Sequence, residues 1–170
     1  LPADSERLKR IHVTDEEDKE YIKSAVKGEK QCLSSWKDYI PNTGGGLFAT
    51  RGDLIRFANM MLGMGQLDGK RILGRKTVEK MTSSVLARTP DYCWGAEEPD
   101  RKYGIGFDRR EGPGFLYSKG TYMHEGAGSC SLVIDPAEQL AAAWFVPFRP
   151  GEWYAEGFWN VSNIIWSGLI

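Results

Sequence analysis

The sequence predicts an α+β fold in which an antiparallel sheet is flanked by helices. Apolar residues recur at helical spacing in the first half of the chain, whereas short apolar runs separated by glycine and proline turns follow from about 103 to 146. A stripe of aromatic and aliphatic residues at helical spacing closes the chain. Because strands and helices do not alternate, a parallel βαβ sheet is excluded, and we expect one domain over residues 1–170.

Two helices are predicted in the first 65 residues. Thr14 and Glu17 form a capping-box pattern at the start of the first helix, which we expect to reach about Lys27. The second begins at Thr50–Asp53 and ends near Gly63–Gly65. Its apolar stripe consists of Leu54, Ile55, Phe57, Ala58, Met61 and Leu62.

A tight turn, a third helix and a loop come next. Asp68-Gly69 is the signature of a two-residue hairpin turn. The spacing then predicts a short helix over 75–83 whose inward residues are Val78 and Met81. Residues 84–102 lack periodicity and carry prolines and charges, which indicates a long surface loop.

Five strands and a final helix are predicted after this loop. The strands are Tyr103–Phe107, Phe115–Tyr117, Thr121–His124, Ser129–Ile134 and Leu140–Val146. The helix opens at Pro150-Gly151, and its apolar stripe consists of Tyr154, Phe158, Val161, Ile165 and Leu169, thickened by Trp153, Trp159 and Trp166. Aromatic residues at this spacing indicate a helix packed on a sheet rather than a ligand box.

Composition and charge narrow the classes of function. The net charge of −1 leaves no electrostatic footprint for nucleic acid, and no apolar run approaches the roughly 20 residues that cross a bilayer. Cys32, Cys93 and Cys130 form no CxxC pair, and the two histidines lack metal-ligand spacing, so we expect neither a metal nor a cofactor. The first residues lack an initiator methionine and the apolar core of a signal peptide, so we expect a piece of a longer protein.

The most informative segment is Tyr122–Pro136, where a polar triplet interrupts an otherwise apolar hairpin. His124, Glu125 and Gly126 end one predicted strand, and small residues lead into the next. Glycine lets a ligand backbone approach closely, and histidine can donate a hydrogen bond or a charge near neutral pH. The segment therefore predicts either a ligand-binding strand or an ordinary hairpin with a surface histidine.

Several segments occur together in a characteristic order: Thr43–Phe57, Asp68–Leu73, Tyr103–Phe107, His124–Gly126, Asp135-Pro136 and the C-terminal helix. This combination resembles the serine β-lactamase and DD-peptidase superfamily, in particular its class C-like β-lactamase, penicillin-binding and esterase branch. The resemblance implies acyl transfer to or hydrolysis of a β-lactam, a peptide or an ester. Relatives of this type are often exported bacterial proteins, which favours a periplasmic or other extracytoplasmic location.

Two motifs that the family places upstream are missing. No Tyr-x-Asn occurs, and the Ser-x-x-Lys matches at Ser24–Lys27 and Ser34–Lys37 come too late in the chain to be the family's nucleophile. The resemblance therefore implies the C-terminal portion of the family's pattern. We expect a partial β-lactamase/transpeptidase-like fold that lacks its N-terminal strands and nucleophile helix.

The resemblance also assigns roles at the triplet. His124 stands at the first position of the family's Lys-Thr-Gly or His-x-Gly motif, where it would polarise a substrate carboxylate or assist proton transfer as a catalytic residue. Glu125 departs from the usual threonine or serine, and Gly126 would let the substrate backbone lie along the strand. The amide of Ala127 would supply one of two oxyanion-hole donors, the other belonging to the nucleophile.

The expected function is that of one part of a serine hydrolase, which supplies the His-x-Gly strand but not the nucleophile. The alternative is a non-catalytic ligand-binding or interaction domain derived from that fold. The expected partners are a small-molecule or peptide substrate and a segment that pairs with strand 140–146, because this strand is apolar throughout and suits a covered, central position. That segment is either the N-terminal half of the same protein or a second copy.

Overall fold

A computed structural model describes residues 49–86, 102–109, 114–126, 130–146 and 153–170, without the side chains of 153–156. The chain from Thr50 to Ile170 clusters as one compact unit. The helix predicted from Thr14 to Lys27 and most of the loop predicted over 84–102 lie outside the described residues. The prediction of a single domain over 1–170 stays a prediction for the same reason.

Helix α1 spans Arg51–Leu62 and begins where the sequence predicts. The Thr50 hydroxyl accepts a hydrogen bond from the Asp53 amide at 3.1 Å, and the Asp53 carboxylate accepts one from the Thr50 amide at 3.0 Å. This reciprocal capping box satisfies two amides that the first turn leaves without helical partners. Ala58, Met60 and Met61 are the buried residues of α1, whereas Phe57 is 38% exposed, so the buried stripe is narrower than predicted.

A two-residue hairpin joins α1 to the next helix. Strands β1, Gln66–Leu67, and β2, Lys70–Arg71, pair antiparallel around Asp68 and Gly69. Both turn residues have positive φ, 50° and 74°, which an Asp-Gly pair tolerates. Helix α2 then spans Arg75–Thr82 and buries Val78, which confirms the predicted turn and helix.

The main sheet has three antiparallel strands: β3 at Tyr122–Gly126, β4 at Cys130–Asp135 and β5 at Leu140–Phe145. Their spatial order is β3-β4-β5, with Tyr122 opposite Ile134 and Ile134 opposite Ala141. Helices and antiparallel sheets thus form the predicted α+β fold.

The sheet is covered on both faces. Side chains alternate along β4, so that Leu132 and Ile134 join one hydrophobic cluster and Val133 joins the other. The first cluster packs against α1 and α2, and the second packs against the C-terminal helix. Burial of β4 from Ser131 to Asp135 makes it the core strand of the described sheet.

The C-terminal helix consists of a π-helix over Trp153–Asn160 and a continuing α-helix α3 over Val161–Ser167. Its fully buried residues with described side chains include Phe158, Ser162 and Trp166, which follow one another at intervals of four. The predicted stripe included Phe158, thickened by Trp166, and Ile165 packs beside them, whereas Leu169 is 43% exposed.

The predicted strand Tyr103–Phe107 is wrong. The chain reverses there, because the Gly104 amide donates to the Phe107 carbonyl at 2.7 Å and Gly106 has a φ of 84°. Ladder contacts are limited to isolated bridges, from Asp108 to Tyr103 and from Asp108 to Met123. Glycine at positive φ favours a turn, and this preference overrides the alternating apolar pattern.

The predicted strand Phe115–Tyr117 is also wrong. Its backbone is held by a side chain instead of a neighbouring strand: the Leu116 amide donates to Asn163 Oδ1 at 3.1 Å, and Asn163 Nδ2 donates to the Gly114 carbonyl at 2.7 Å. Phe115 and Tyr117 stack at 4.8 Å between ring centroids and contact the C-terminal helix. The segment is an extended strap bound to that helix.

Candidate functional site on strand β3

The histidine of the predicted site is exposed on strand β3. His124 is the third residue of this strand and lies directly opposite Leu132 of β4. By the alternation of the strand, His124 shares one sheet face with Tyr122 and Gly126, while Met123 and Glu125 point to the other. Glu125 and Gly126 are each partly exposed, and Ala127 lies outside the described residues.

A hydrogen bond within the strand orients the His124 ring. Its Nδ1 lies 2.7 Å from the backbone carbonyl oxygen of Glu125. The ring of Tyr103 approaches it edge to face, with 6.4 Å between centroids. Sequence reasoning missed Tyr103 as a neighbour, because the contact depends on the turn at Gly104–Phe107, which was predicted as a strand.

The outer edge of β3 is partly used by the chain itself. Asp108 exchanges two backbone hydrogen bonds with Met123, at 2.8 and 2.9 Å. Since backbone groups alternate in direction along an antiparallel strand, the amide and carbonyl of Glu125 also face away from β4, toward this edge. The polar triplet therefore combines an exposed imidazole with outward-facing backbone groups.

Gly126 fits tightly against its cross-strand neighbour Cys130. A Cβ at this position would lie 2.5 Å from the Cys130 sulfur, closer than real side chains approach. Burial raises the pKa of the Cys130 thiol, and hydrogen bonds from the Gly126 and Cys130 amides only partly offset the rise. The thiol therefore stays protonated near neutral pH and is weakly nucleophilic.

Tyr122 belongs to the core and not to the reactive groups of the site. It is 2% exposed and packs edge to face against Phe107 at 5.1 Å between centroids. Burial raises the pKa of Tyr122 to about 12. Its phenol is thus neutral at physiological pH, and Tyr122 does not serve as a phenolate base.

Behind the site, Asp135 anchors the end of β4. Oδ2 accepts hydrogen bonds from the Ser118 amide and the Trp166 indole, both at 2.9 Å. Oδ1 accepts from the amides of Ala137 and Glu138 in the turn that follows. Burial alone would raise the pKa of Asp135, but these hydrogen bonds outweigh it and hold the pKa below its ordinary value.

The described ranges contain no group of three or more histidine, cysteine or acidic side chains placed to hold a metal ion. Within the same ranges, none of the helices has the length and apolar character that crossing a bilayer requires.

Comparison with known families decides the relationship of this chain. The family profile described as Beta-lactamase matches residues 2–156. The chain belongs to the beta-lactamase family. This membership confirms the resemblance to the serine β-lactamase and DD-peptidase superfamily and places the chain on a fold related to serine hydrolases.

Individual proteins match shorter segments of the chain. Protein Rv1367c of Mycobacterium tuberculosis H37Rv and an uncharacterized protein of strain CDC 1551 are each 44% identical over 45 residues, which is 26% of this chain and 11% of each relative. A solved structure, described as a novel penicillin-binding protein homologue from Caulobacter crescentus, is 28% identical with a TM-score of 0.47. That match covers 56% of this chain and 25% of the homologue.

Proposed function

We propose that this chain supplies the His-x-Gly strand of a β-lactamase-related serine hydrolase, which transfers or hydrolyses the acyl group of a β-lactam, a peptide or an ester. His124 is its catalytic residue, in the role of a proton acceptor or donor. Glu125 and Gly126 line the edge along which the substrate lies. The amide of Ala127 is one oxyanion-hole donor, while the nucleophile comes from outside this chain.

The observation that carries this proposal is the arrangement at the edge of β3. An exposed imidazole with an oriented ring stands on β3, at the edge of the described sheet, two residues before Gly126, which has no side chain to obstruct an approaching chain. An extended acyl substrate needs such an edge to form backbone hydrogen bonds, and it needs an acid–base group within reach. Membership of the beta-lactamase family supports the same assignment.

The test compares the complete protein with variants at the two histidines of these 170 residues. We expect His124→Gln to lower kcat/KM for a p-nitrophenyl ester or a chromogenic β-lactam by about 100-fold or more, which is the usual contribution of general acid–base catalysis. His12→Gln is the matched control and should retain the activity. Equal activity of the two variants would reject the role of His124.

The 170-residue chain alone should show no turnover of either substrate, because without a positioned nucleophile the covalent route is lost. Mass spectrometry after incubation with the β-lactam should find no acyl adduct. A stable adduct on Ser24 or Ser34 would contradict this expectation and restore their Ser-x-x-Lys segments as candidates. Saturable binding of the substrate by the complete protein without turnover would instead favour the non-catalytic binding domain.

A further inference from the structure

The hydrogen bond of His124 determines which ring nitrogen can meet a ligand. Nδ1 lies 2.7 Å from the Glu125 carbonyl oxygen, and a carbonyl oxygen only accepts hydrogen bonds. In the neutral ring Nδ1 must therefore carry the proton, which leaves a lone pair on Nε2. None of the described residues forms a hydrogen bond with Nε2.

Tyr103 restricts the ring from a second direction. Its own backbone is tethered, because its carbonyl accepts the Val85 amide at 2.8 Å and it bridges to Asp108. The Tyr103 ring meets the His124 ring edge to face, with 6.4 Å between centroids. Tyr103 is thus placed as a positioning residue for His124.

We propose that the His124 ring, held by Glu125 and Tyr103, presents Nε2 as a hydrogen-bond acceptor in its neutral form, so that the site takes amides, which carry an N–H donor, in preference to carboxylates. This inference rests on the proposed function and narrows its substrate class. A carboxylate offers only acceptor oxygens, which cannot bond to another acceptor.

The first measurement is the tautomer of His124 in the 170-residue chain, read from ¹⁵N NMR shifts of the ring at about pH 8, where imidazole is ordinarily neutral. Tyr122 and Cys130 share this sheet face, and Tyr103 lies beside the ring. Burial raises the pKa of both Tyr122 and Cys130, so their protonation does not change the comparison. His12→Gln removes the other histidine and assigns the signals.

The proposal requires the Nδ1–H form in the wild-type chain and in Tyr103→Phe, which keeps the ring edge. Tyr103→Ala should give a mixture of the two tautomers. A predominant Nε2–H form in the wild type would overturn the inference while leaving the proposed function standing. An unchanged tautomer in Tyr103→Ala would remove the positioning role of Tyr103.

The second measurement uses two probes of nearly the same shape, phenylacetamide and phenylacetate, titrated at the same pH while the His124 ring signals are followed. The amide can donate to Nε2 and should bind about tenfold more tightly, as expected for one net hydrogen bond. Equal binding, tighter binding of phenylacetate, or no response of the ring to either probe would reject the substrate preference. Retained activity in His124→Gln would reject the proposed function even if the tautomer is as expected.

Discussion

At the scale of single residues, Asp135 illustrates how a buried carboxylate can be satisfied by N–H donors, three backbone amides and one indole. Its two oxygens receive four donors from three parts of the chain: the strap, the turn after β4 and the C-terminal helix. The sequence predicts only the turn at Asp135-Pro136, because the other donors, Ser118 and Trp166, are distant in sequence. A carboxylate is the side chain that accepts on both oxygens, and an amide side chain cannot replace it.

Asp135→Asn should lower the free energy of unfolding by about 2–4 kcal/mol, because a buried NH₂ would face N–H donors and the charge-assisted hydrogen bonds would be lost. Urea denaturation followed by circular dichroism measures the change. Glu138→Gln is a suitable control, since Glu138 is exposed and its substitution should change stability by less than about 0.5 kcal/mol. Similar stability of both variants would show that the Asp135 network does not hold the fold.

Asp135 also predicts how stability depends on pH. Its folded pKa lies below the ordinary value of 3.8, so the carboxylate contributes its full stabilisation above that value and loses it as the pH falls toward the folded pKa. The free energy of unfolding should therefore decrease below about pH 4. Asp135→Asn should show a shallower decrease over this range, and an identical slope would exclude Asp135 as a source of the acid sensitivity.

Gly126 and Cys130 lie opposite each other, and the Cys130 side chain limits the space for a side chain at position 126. Gly126→Ala should destabilise the chain by about 1–3 kcal/mol, the usual cost of overpacking, because the new methyl group meets the Cys130 sulfur. Cys130→Ala added to Gly126→Ala should recover part of this loss, which a double-mutant cycle on urea denaturation measures. Strictly additive effects would show that contact with the Cys130 sulfur is not the cause of the cost of Gly126→Ala.

At the scale of elements, the sequence correctly predicted those features whose hydrogen bonds and backbone angles depend on neighbouring residues. The helix start at Thr50–Asp53 and the Asp68-Gly69 turn depend on groups within four residues, and both are present as predicted. The strap over residues 114–118 could not be predicted in the same way, because Asn163 binds it from more than 45 positions away in the sequence. Apolar alternation indicates an extended segment but does not specify the partner of its backbone.

Asn163→Ala tests the strap directly. Two hydrogen bonds to the backbone are removed at a partly exposed position, so the free energy of unfolding should fall by about 1–2 kcal/mol. Asn163→Asp keeps an acceptor for Leu116 and loses the donor to Gly114, so an intermediate loss is expected. Hydrogen exchange of the Leu116 amide should be faster in Asn163→Ala than in Asn163→Asp. Equal exchange rates in the two variants would show that Asn163 does not hold the strap in place.

At the candidate site, too, the sequence predicted residues that are adjacent in the chain but not their neighbours in space. The sequence placed His124, Glu125 and Gly126 on one strand, and β3 contains all three. It did not supply the neighbours of the histidine, since Tyr103 reaches the ring through the turn at Gly104–Phe107 and through the bridges of Asp108. The roles of the triplet stay predictions that activity measurements must decide.

At the scale of the whole molecule, β5 is apolar on both faces but only partly buried, and its Phe145 is 45% exposed. Ala141 and Ala143 pack into the cluster beneath α1, while Leu140, Ala142 and Trp144 pack against the C-terminal helix. In the part of the chain that the structure describes, β5 pairs with β4 alone. An apolar strand edge of this kind templates pairing with another segment unless charges or prolines block it.

We therefore expect the outer edge of Leu140–Val146 to pair with a further strand, supplied by a second copy, by a separate N-terminal chain or by residues 1–40. Size-exclusion chromatography with light scattering distinguishes a dimer from a monomer. Hydrogen exchange at 140–146 then shows whether the edge is protected in a monomer. A soluble monomer with rapid exchange along this strand would contradict the prediction.

The attachment of the C-terminal helix has an optical consequence. The indole of Trp166 donates to Asp135 and that of Trp144 donates to the Gly157 carbonyl, so two fluorophores sit at the contact between helix and sheet. If this helix detaches before the sheet unfolds, both indoles pass into water together and their emission shifts to longer wavelength. Partial opening at the end of the chain thus produces a fluorescence change separate from the loss of β structure.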